Sequence, residues 1–561
     1  MLSSLRRARH GLHAAGLALA LTCACAAPAR AVSCAQAAAT QADAHAGRAA
    51  QAVAEGAAAL ARGDEEGARA AFRQALAVEP NNVEAHTYLG VLADRADDLA
   101  EAERHFAAAA IAAPYLASAR NNYGAILLRL GRAAQARAQF EASLKLERDQ
   151  PNALVNLAQI LFDAGTPADL TAARDLFARA AALAPDAEIA RALVVTSLRL
   201  GDREGAARYY QDYATRLERT NVAGDAGGAA AGNAAARAEL AAALLAAGLA
   251  PEAIKEAAAA TAADPANVQA VVTLGRAHLQ QRDIPAAGRA LEAAVARGLD
   301  AAPVYAALAD VYAAGGYYEN AIPAMRLALA RDPANESYHV RYGLLLDDSR
   351  APAAAVIRLL ESLKQFPRSA PLWLALGIAQ LDDGKNTEAE GSFKQSLALD
   401  PKSTPALAYL GTTYAERGEY ARAIELYERA IAADDKQAIT YYLAADAQLK
   451  LPDADYARAE KYLARAIELD PALASARLAL AKLYVRGERW AEAAAQLERA
   501  VQLAPALAEA HYQLGRVYVR LKRTPEAQRE LATFKQLSDT EKTQRETDRR
   551  DLVRRLANVR F

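Results

Sequence analysis

The sequence repeats with a period of 34 residues from about Ala49 to residue 541. The copy at 370–403 shows the spacing most clearly, with Trp373, Leu376, Gly377, Ala389, Phe393, Ser396 and Pro401. The copies at 404–437 and 83–116 carry large, small and aromatic residues at the same places. One unit of this length cannot bury its own apolar face, so neighbouring units must stack on each other. The period therefore favours one continuous array over several separate globular domains.

Each copy predicts two helices of about twelve residues. In 370–403, Trp373, Leu376 and Gly377 share one face of the first helix, and Gly384 is suited to the left-handed turn that ends it. Ala389 and Phe393 belong to the second helix, and we expect the ring of Phe393 to fill the space beside small residues. The mean hydropathy is only -0.08 although 53% of the residues are hydrophobic, because many of them are alanines, the best helix formers.

This spacing resembles that of the tetratricopeptide repeat, and the resemblance covers nearly all of the chain after the first 48 residues. It implies an all-α fold, a right-handed α-solenoid of about 14 stacked helix–turn–helix units with a C-terminal capping helix. Five units fall in 49–220 and nine in 234–541. Between them, residues 221–233 are rich in Gly and Ala and predict a linker or hinge. The charged segment 542–561 carries apolar residues at helical spacing and predicts the capping helix.

Residues 1–31 have the pattern of a secretory signal peptide: a basic start, an apolar run from Ala14 to Ala27 and small residues at Ala29 and Ala31. The run is too short for a stable membrane anchor, and no apolar stretch of spanning length follows it. We expect export to a bacterial periplasm, with 32–48 as a flexible linker. Cys34 would then be the one remaining cysteine. Its lipidation, which would make an outer-membrane lipoprotein, is less favoured because Ala31 stands where such sites have Leu.

Composition and motifs argue against several classes of function. Lys plus Arg number 66 and Asp plus Glu 67, so overall positive charge cannot drive nucleic-acid binding. No nucleophile, phosphate-loop or His-Glu-x-x-His pattern is present, and no cofactor or metal site is predicted. His86, His339 and His511 occupy the same place in their repeats as Trp373, so we expect packed or rim residues rather than ligands. The chain is not expected to be an enzyme.

The resemblance implies that the first helix of each repeat lines a concave groove. The residues at the groove-lining positions of these helices fall into three zones. The first zone is amide-rich and would hold the backbone of an extended peptide: Asn121, Asn122, Asn156 and Gln159. Asn122 and Asn156 stand at equivalent places, whereas Tyr88 replaces Asn in the preceding repeat. The alternative is a set of polar groove residues without a ligand.

The other two zones are charged, and a groove that changes sign would orient a partner of opposite pattern. The acidic groove comprises Asp310, Asp347, Asp348, Asp382, Glu416 and Asp446. The basic groove comprises Lys450, Lys482, Arg486, Arg516 and Arg520. The alternative is solvated charge that happens to share a face.

The sequence thus predicts a non-catalytic, periplasmic scaffold that holds protein or peptide partners, serving envelope assembly, secretion or exopolysaccharide export. The alternative hypothesis is a solenoid that binds an anionic polysaccharide, or another polyanion, through its basic groove.

Overall fold

The computed structural model describes residues 34–222 and 230–538, and this part of the chain is helical with no strand. It contains twenty-eight helices, two within each of the fourteen repeats that the period predicts. The all-α solenoid class is confirmed. The chain divides into two compact units, Met1–Asp283 and Ile284–Phe561.

The described part of the first unit contains thirteen helices. They are α1 (Cys34–Ala61), α2 (Glu65–Val78), α3 (Val83–Arg95), α4 (Leu99–Ala112), α5 (Ala117–Arg129), α6 (Ala133–Leu146), α7 (Pro151–Ala164), α8 (Pro167–Leu183), α9 (Ala187–Arg199), α10 (Arg203–Val222), α11 (Ala230–Ala246), α12 (Ala250–Ala263) and α13 (Val268–Gln280).

The described part of the second unit contains fifteen helices. They are α14 (Ile284–Ala296), α15 (Ala302–Ala314), α16 (Tyr318–Arg331), α17 (Glu336–Asp348), α18 (Pro352–Gln365), α19 (Ala370–Asp382), α20 (Asn386–Leu399), α21 (Thr404–Glu416), α22 (Tyr420–Ala433), α23 (Ala438–Gln448), α24 (Tyr456–Leu469), α25 (Ala474–Arg486), α26 (Trp490–Leu503), α27 (Ala508–Arg520) and α28 (Thr524–Ser538).

Several predicted segments differ from these bounds or lie outside them. Helix α1 begins at Cys34, so it includes residues 34–48, which the sequence assigned to a linker. The predicted signal peptide and capping helix lie outside the described residues, as does 223–229 of the predicted hinge. Around that gap, residues of α9 and α10 share a hydrophobic cluster with residues of α11 and α12.

The core of each unit forms where the helices of one repeat pack on each other and on the next repeat. Aromatic rings at one repeat place are almost completely buried, as in Phe72, Phe140 and Phe393. The small residue four places before the aromatic position is fully buried as well: Ala68, Ala102, Ala136, Ala389 and Ala423. Small side chains let the helices approach closely, and the rings fill the remaining space. Gly384 has φ +77° at the end of its first helix, as the sequence predicts.

None of the described helices combines the length and the apolar character that crossing a lipid bilayer requires.

Candidate functional site

The first helices of consecutive repeats lie next to each other and form a layer of their own. In the first unit α5 contacts α7, and in the second unit each first helix from α17 to α27 contacts the next first helix. We call the exposed side of this layer the first-helix face. Apart from Lys450, which lies in the turn after α23, the residues of the three predicted zones lie on first helices. Equivalent places in neighbouring repeats are therefore brought side by side.

The amide zone lies on α5 and α7 in the first unit. Asn122 and Asn156 are half-buried, and neither side chain forms a hydrogen bond with any other described residue. The Oδ1 atom of Asn121 is buried without a hydrogen-bond partner in the described part of the chain. Gln159 differs, because its Nε2 donates a hydrogen bond to Asp163 Oδ1 at a distance of 2.7 Å. Asn122 and Asn156 therefore keep hydrogen-bonding capacity within reach of a ligand, whereas the unpaired oxygen of Asn121 is buried.

Tyr88 occupies the equivalent place at the N-terminal edge of this zone. Its ring stacks on Phe72, with centroids 4.6 Å apart and planes 8° apart. Burial, followed by the nearby Glu84 carboxylate, raises the pKa of the Tyr88 hydroxyl. Tyr88 therefore packs against the core, and Asn residues occupy this repeat position only from α5 onward.

The acidic zone is largely engaged within the second unit. Asp310 pairs with Arg341 on the next first helix, and Asp446 pairs at 2.8 Å with Lys450, which lies in the turn after its helix. Asp347 is only 4% exposed, and it, Asp348 and Asp382 have interactions within the chain. Glu416 is exposed at the end of α21. Neutralised and buried carboxylates attract a basic partner weakly, so this zone is a poorer site than the sequence indicates.

The basic zone divides into two kinds of cation. Lys450 pairs with Asp446, and Lys482 pairs with Glu509 at 2.7 Å. Arg486, Arg516 and Arg520 are exposed, and none of them forms an ion pair with a described residue. Each of these three guanidinium groups lies over an aromatic ring instead.

Three of the aromatic partners of this zone were not identified from the sequence, whereas Tyr512, the partner of Arg516, stands among the basic residues of the predicted groove. Lys450 lies over Tyr420, Arg486 over Tyr456 and Arg520 over Trp490, at 5.8, 4.9 and 5.7 Å from the ring centroids. In each pair the aromatic residue is at the start of a second helix and the cation is thirty residues later. Arg486 and Arg520 are the last residues of the next first helix, and Lys450 lies in the turn just after it. That constant separation is the signal that could have revealed the pairs.

The three histidines at the place of Trp373 hold the turns between repeats. His86, His339 and His511 each place Nε2 within 3.0 Å of the carbonyl oxygen of the proline six residues earlier. Trp373 donates Nε1–H to Pro367 O in the same way, at 3.1 Å. Arg120 and Arg477 donate to the equivalent Pro114 and Pro471 carbonyls. These residues satisfy a turn carbonyl, which supports the prediction that the histidines are packed or rim residues.

Four of these six side chains also reach a residue nineteen positions later, on the second helix. Arg120 and Arg477 donate to Gln139 and Gln496. His511 Nδ1 lies 2.6 Å from Glu530 Oε2, and His86 Nδ1 lies 2.9 Å from His105 Nδ1. Each such pair connects the turn before a repeat to the second helix of that repeat.

A buried pair with the same separation of nineteen residues lies between α11 and α12. Glu256 is 3% exposed, and its Oε2 lies 4.0 Å from Nε of Arg237, nineteen residues earlier. Tyr210 of α10 donates its hydroxyl to Glu256 Oε1 at 2.9 Å. Burial raises the pKa of the Glu256 carboxyl, although Arg237 and the tyrosine hydroxyls oppose that change. Sequence reasoning missed Glu256 because most carboxylates on these helices are solvated.

The described residues contain no group of three or more His, Cys, Asp and Glu side chains that could hold a metal ion.

Comparison with known families agrees with the repeat and the fold. Three tetratricopeptide repeat models match the chain, one at 53–117, 124–188, 272–336 and 342–404, one at 380–449 and one at 481–522. Together these matches span more than half of the chain, which therefore belongs to the tetratricopeptide repeat family. Arrays of this repeat are protein–protein interaction scaffolds and are generally not catalytic.

Solved structures of similar architecture share low sequence identity with this chain. The yeast Tom70 structure is 17% identical, with a TM-score of 0.38, and the match covers 79% of this chain and 96% of Tom70. The Cut9–Hcn1 structure of the APC/C is 14% identical, with a TM-score of 0.37, and the match covers 84% of this chain and 96% of the matched chain. PilF of Pseudomonas aeruginosa is 24% identical, with a TM-score of 0.32, and the match covers 38% of this chain and 96% of PilF. No curated protein gives a significant match.

Proposed function

We propose that this protein is a non-catalytic scaffold of the bacterial periplasm that binds an extended segment of a partner protein on the first-helix face of its first unit. The observation that carries the proposal is the pair Asn122 and Asn156. They lie at equivalent places on neighbouring first helices, half-buried and without hydrogen bonds to other described residues.

An extended peptide presents backbone N–H and C=O groups at regular intervals, and these groups need hydrogen-bond partners when they leave water. A carboxamide offers one acceptor oxygen and two N–H donors, so one Asn can bind both groups of a peptide backbone. A side chain already hydrogen-bonded within the protein would have to give up that bond first. Asn122 and Asn156 have no such bond to lose.

The proposed location rests on residues 1–31. A basic start, a short apolar run and small residues at Ala29 and Ala31 form the pattern that export machinery recognises. In the periplasm such a scaffold would serve envelope assembly, secretion or polymer export. Mass spectrometry of the protein recovered from cells tests this, with a mature N-terminus at Val32 as the expected result. A lipid-modified start at Cys34 would replace the periplasmic form with an outer-membrane lipoprotein.

The binding proposal is tested by changing both amides, Asn122→Ala with Asn156→Ala, and recovering partners from envelope extract with the purified protein. We expect the double variant to lose a defined set of proteins, identified by mass spectrometry, that the unchanged chain retains. Loss of one net hydrogen bond per amide, each contributing about 1 kcal/mol, corresponds to roughly a tenfold to thirtyfold loss of affinity.

The matched control is Asn320→Ala with Asn386→Ala, which removes two exposed amides from the starts of second helices. This control is expected to recover the same proteins as the unchanged chain. If the Asn122 and Asn156 variant also recovers them all, with an unchanged circular dichroism spectrum, these amides do not form the site.

A further inference from the structure

The second unit presents three arginines that no carboxylate of its described residues neutralises. Arg486, at the end of α25, and Arg516 and Arg520 of α27 are exposed, and they form no ion pair with a described residue. Nearby cations at equivalent places are neutralised, since Lys450 pairs with Asp446 and Lys482 with Glu509. Positive charge on this part of the first-helix face is therefore concentrated on α25 and α27.

Aromatic rings hold the three guanidinium groups in position. The Arg486, Arg516 and Arg520 groups lie 4.9, 5.6 and 5.7 Å from the centroids of Tyr456, Tyr512 and Trp490. Arginine loses considerable rotamer entropy when it binds a ligand, and a side chain already restricted by a ring loses less. A contact with the face of a ring uses none of the guanidinium N–H donors in a conventional hydrogen bond, so those donors can still bind a carboxylate.

Apolar side chains are exposed among these arginines. Val519 is 58% exposed and Tyr512 37% exposed, and both belong to α27. Tyr512, Arg516 and Arg520 follow one another at intervals of four residues, so they share a face of the helix. The surface therefore combines fixed positive charge with exposed apolar area, as the recognition of a peptide with both kinds of side chain requires.

We propose that α25 and α27 form a docking surface for an acidic protein segment. Its Asp or Glu side chains pair with Arg486, Arg516 and Arg520, and its apolar side chains contact Val519 and Tyr512. The proposal rests on the scaffold function and adds a second surface, on the second unit, with a defined partner chemistry.

An acidic polysaccharide fits this surface less well. Sugars are held largely by stacking on open aromatic faces, and here a guanidinium already covers one face of Tyr456, Tyr512 and Trp490. A polysaccharide also gains little from the exposed Val519 side chain.

The test selects binders from a display library of random dodecapeptides on the immobilised full-length chain at low salt. Asp and Glu are expected to be enriched among the retained peptides, together with Leu, Phe or Tyr. A synthetic peptide from this pool is then titrated against the unchanged chain and against a triple variant, Arg486→Gln, Arg516→Gln and Arg520→Gln. Three exposed ion pairs correspond to a loss of affinity of about tenfold or more, which should diminish as salt is added.

The matched control carries Arg326→Gln, Arg368→Gln and Arg429→Gln, which removes the same charge from exposed positions of the same unit outside the first helices. It is expected to bind the peptide as the unchanged chain does. Equal weakening by both triple variants would show attraction by overall charge and would overturn the proposal.

Two further outcomes would also overturn the proposal. In the first, the peptides retained by the unchanged chain contain no more Asp and Glu than the peptides retained by the folded triple variant. The other is tighter binding of polygalacturonate than of any selected peptide, lost in the same triple variant, which would assign the surface to a polysaccharide. Neither result bears on Asn122 and Asn156, so the scaffold proposal is judged separately by its own experiment.

Discussion

The ring of Phe393 lies directly against the backbone of Gly377, and a Cβ atom added to Gly377 would come within 2.5 Å of Phe393 Cε1. The same contact recurs between Gly90 and Phe106, and between Gly411 and Tyr427. The glycine of the first helix and the ring of the second helix are thus one packing element, repeated along the chain. Its close fit makes the pair a sensitive site for testing what holds a repeat together.

Gly377→Ala is expected to destabilise the second unit by about 1–3 kcal/mol, because the added methyl group forces the Phe393 ring or the helices to shift. The measurement is urea unfolding followed by tryptophan fluorescence, since Trp373 and Trp490 both lie in this unit. The control is Gly391→Ala on α20, where a Cβ would meet nothing within 4 Å. That change is expected to stabilise the unit by about 0.5–1 kcal/mol through helix propensity alone. Equal effects of the two changes would contradict the packing argument.

Glu390 joins two successive repeats through three donors. Lys394 of its own helix lies 2.6 Å away, and Arg417 and the Tyr414 hydroxyl, from the next repeat, lie 2.5 and 3.1 Å away. The hydrogen bond from Lys394 contributes most to lowering the pKa of the Glu390 carboxyl to about 2, with Arg417 and Tyr414 adding to it. A carboxylate with a lowered pKa stabilises the fold when the pH is above 4.5, its pKa in the unfolded chain. That stability is lost as the pH falls towards 2.

We therefore expect Glu390→Gln to cost about 1–2 kcal/mol at neutral pH, a figure reduced for the solvent exposure of Lys394 and Arg417. Urea midpoints for the variant and the unchanged chain should approach each other when the pH is lowered to about 3. Glu425→Gln, at an exposed position of α22, should have little effect at either pH. A Glu390→Gln deficit that does not shrink in acid would contradict the assignment.

The buried Glu256 depends on the Tyr210 hydroxyl. Tyr210→Phe removes the donor at 2.9 Å and leaves a buried carboxyl oxygen without its partner, at an expected cost of about 1–3 kcal/mol. Hydrogen exchange measured by mass spectrometry should show faster exchange in α10, α11 and α12. Tyr209→Phe is the control, because its ring is partly buried and its hydroxyl makes no hydrogen bond with a described residue. Identical exchange in the two variants would show that the Tyr210 hydroxyl contributes no stability.

His105 is expected to make the first unit less stable in mild acid. Burial lowers the pKa of the His105 imidazole, and His86 lowers it further, with smaller contributions from Arg104 and Arg73 that Glu101 opposes. The unfolded chain, with a His pKa of 6.5, therefore binds a proton before the folded chain does. Stability is complete above about pH 6.5 and declines as the pH falls below it.

The test of this prediction is His105→Gln, which places at this position the residue found at the equivalent positions 139 and 496. Between about pH 7.5 and about pH 5 the variant should lose less stability than the unchanged chain, measured by urea unfolding and circular dichroism. Parallel losses in the two proteins would show that the His86–His105 pair is not the source.

The candidate site could be predicted in part. The places of Asn122 and Asn156, and of Arg486 and Arg520, follow from counting along the repeat, because residues at equal places on stacked helices face the same way. The sequence could not show that Gln159 is bonded to Asp163 or that Lys482 is bonded to Glu509. Several acceptors lie within reach of each such side chain, and the pair that forms depends on rotamers and on the distance between neighbouring helices.

The sequence by itself determined the helices and their order, because periodic apolar residues, glycine turns and proline stops act over a few residues at a time. It also determined that Gly377 and Phe393 belong to one contact. The tertiary structure decided which charges remain available to a partner. Asp310 pairs with Arg341 and Lys482 with Glu509, whereas Arg486 and Arg520 rest on aromatic rings. That outcome depends on side chains from different repeats meeting in space, which periodicity within one repeat does not specify.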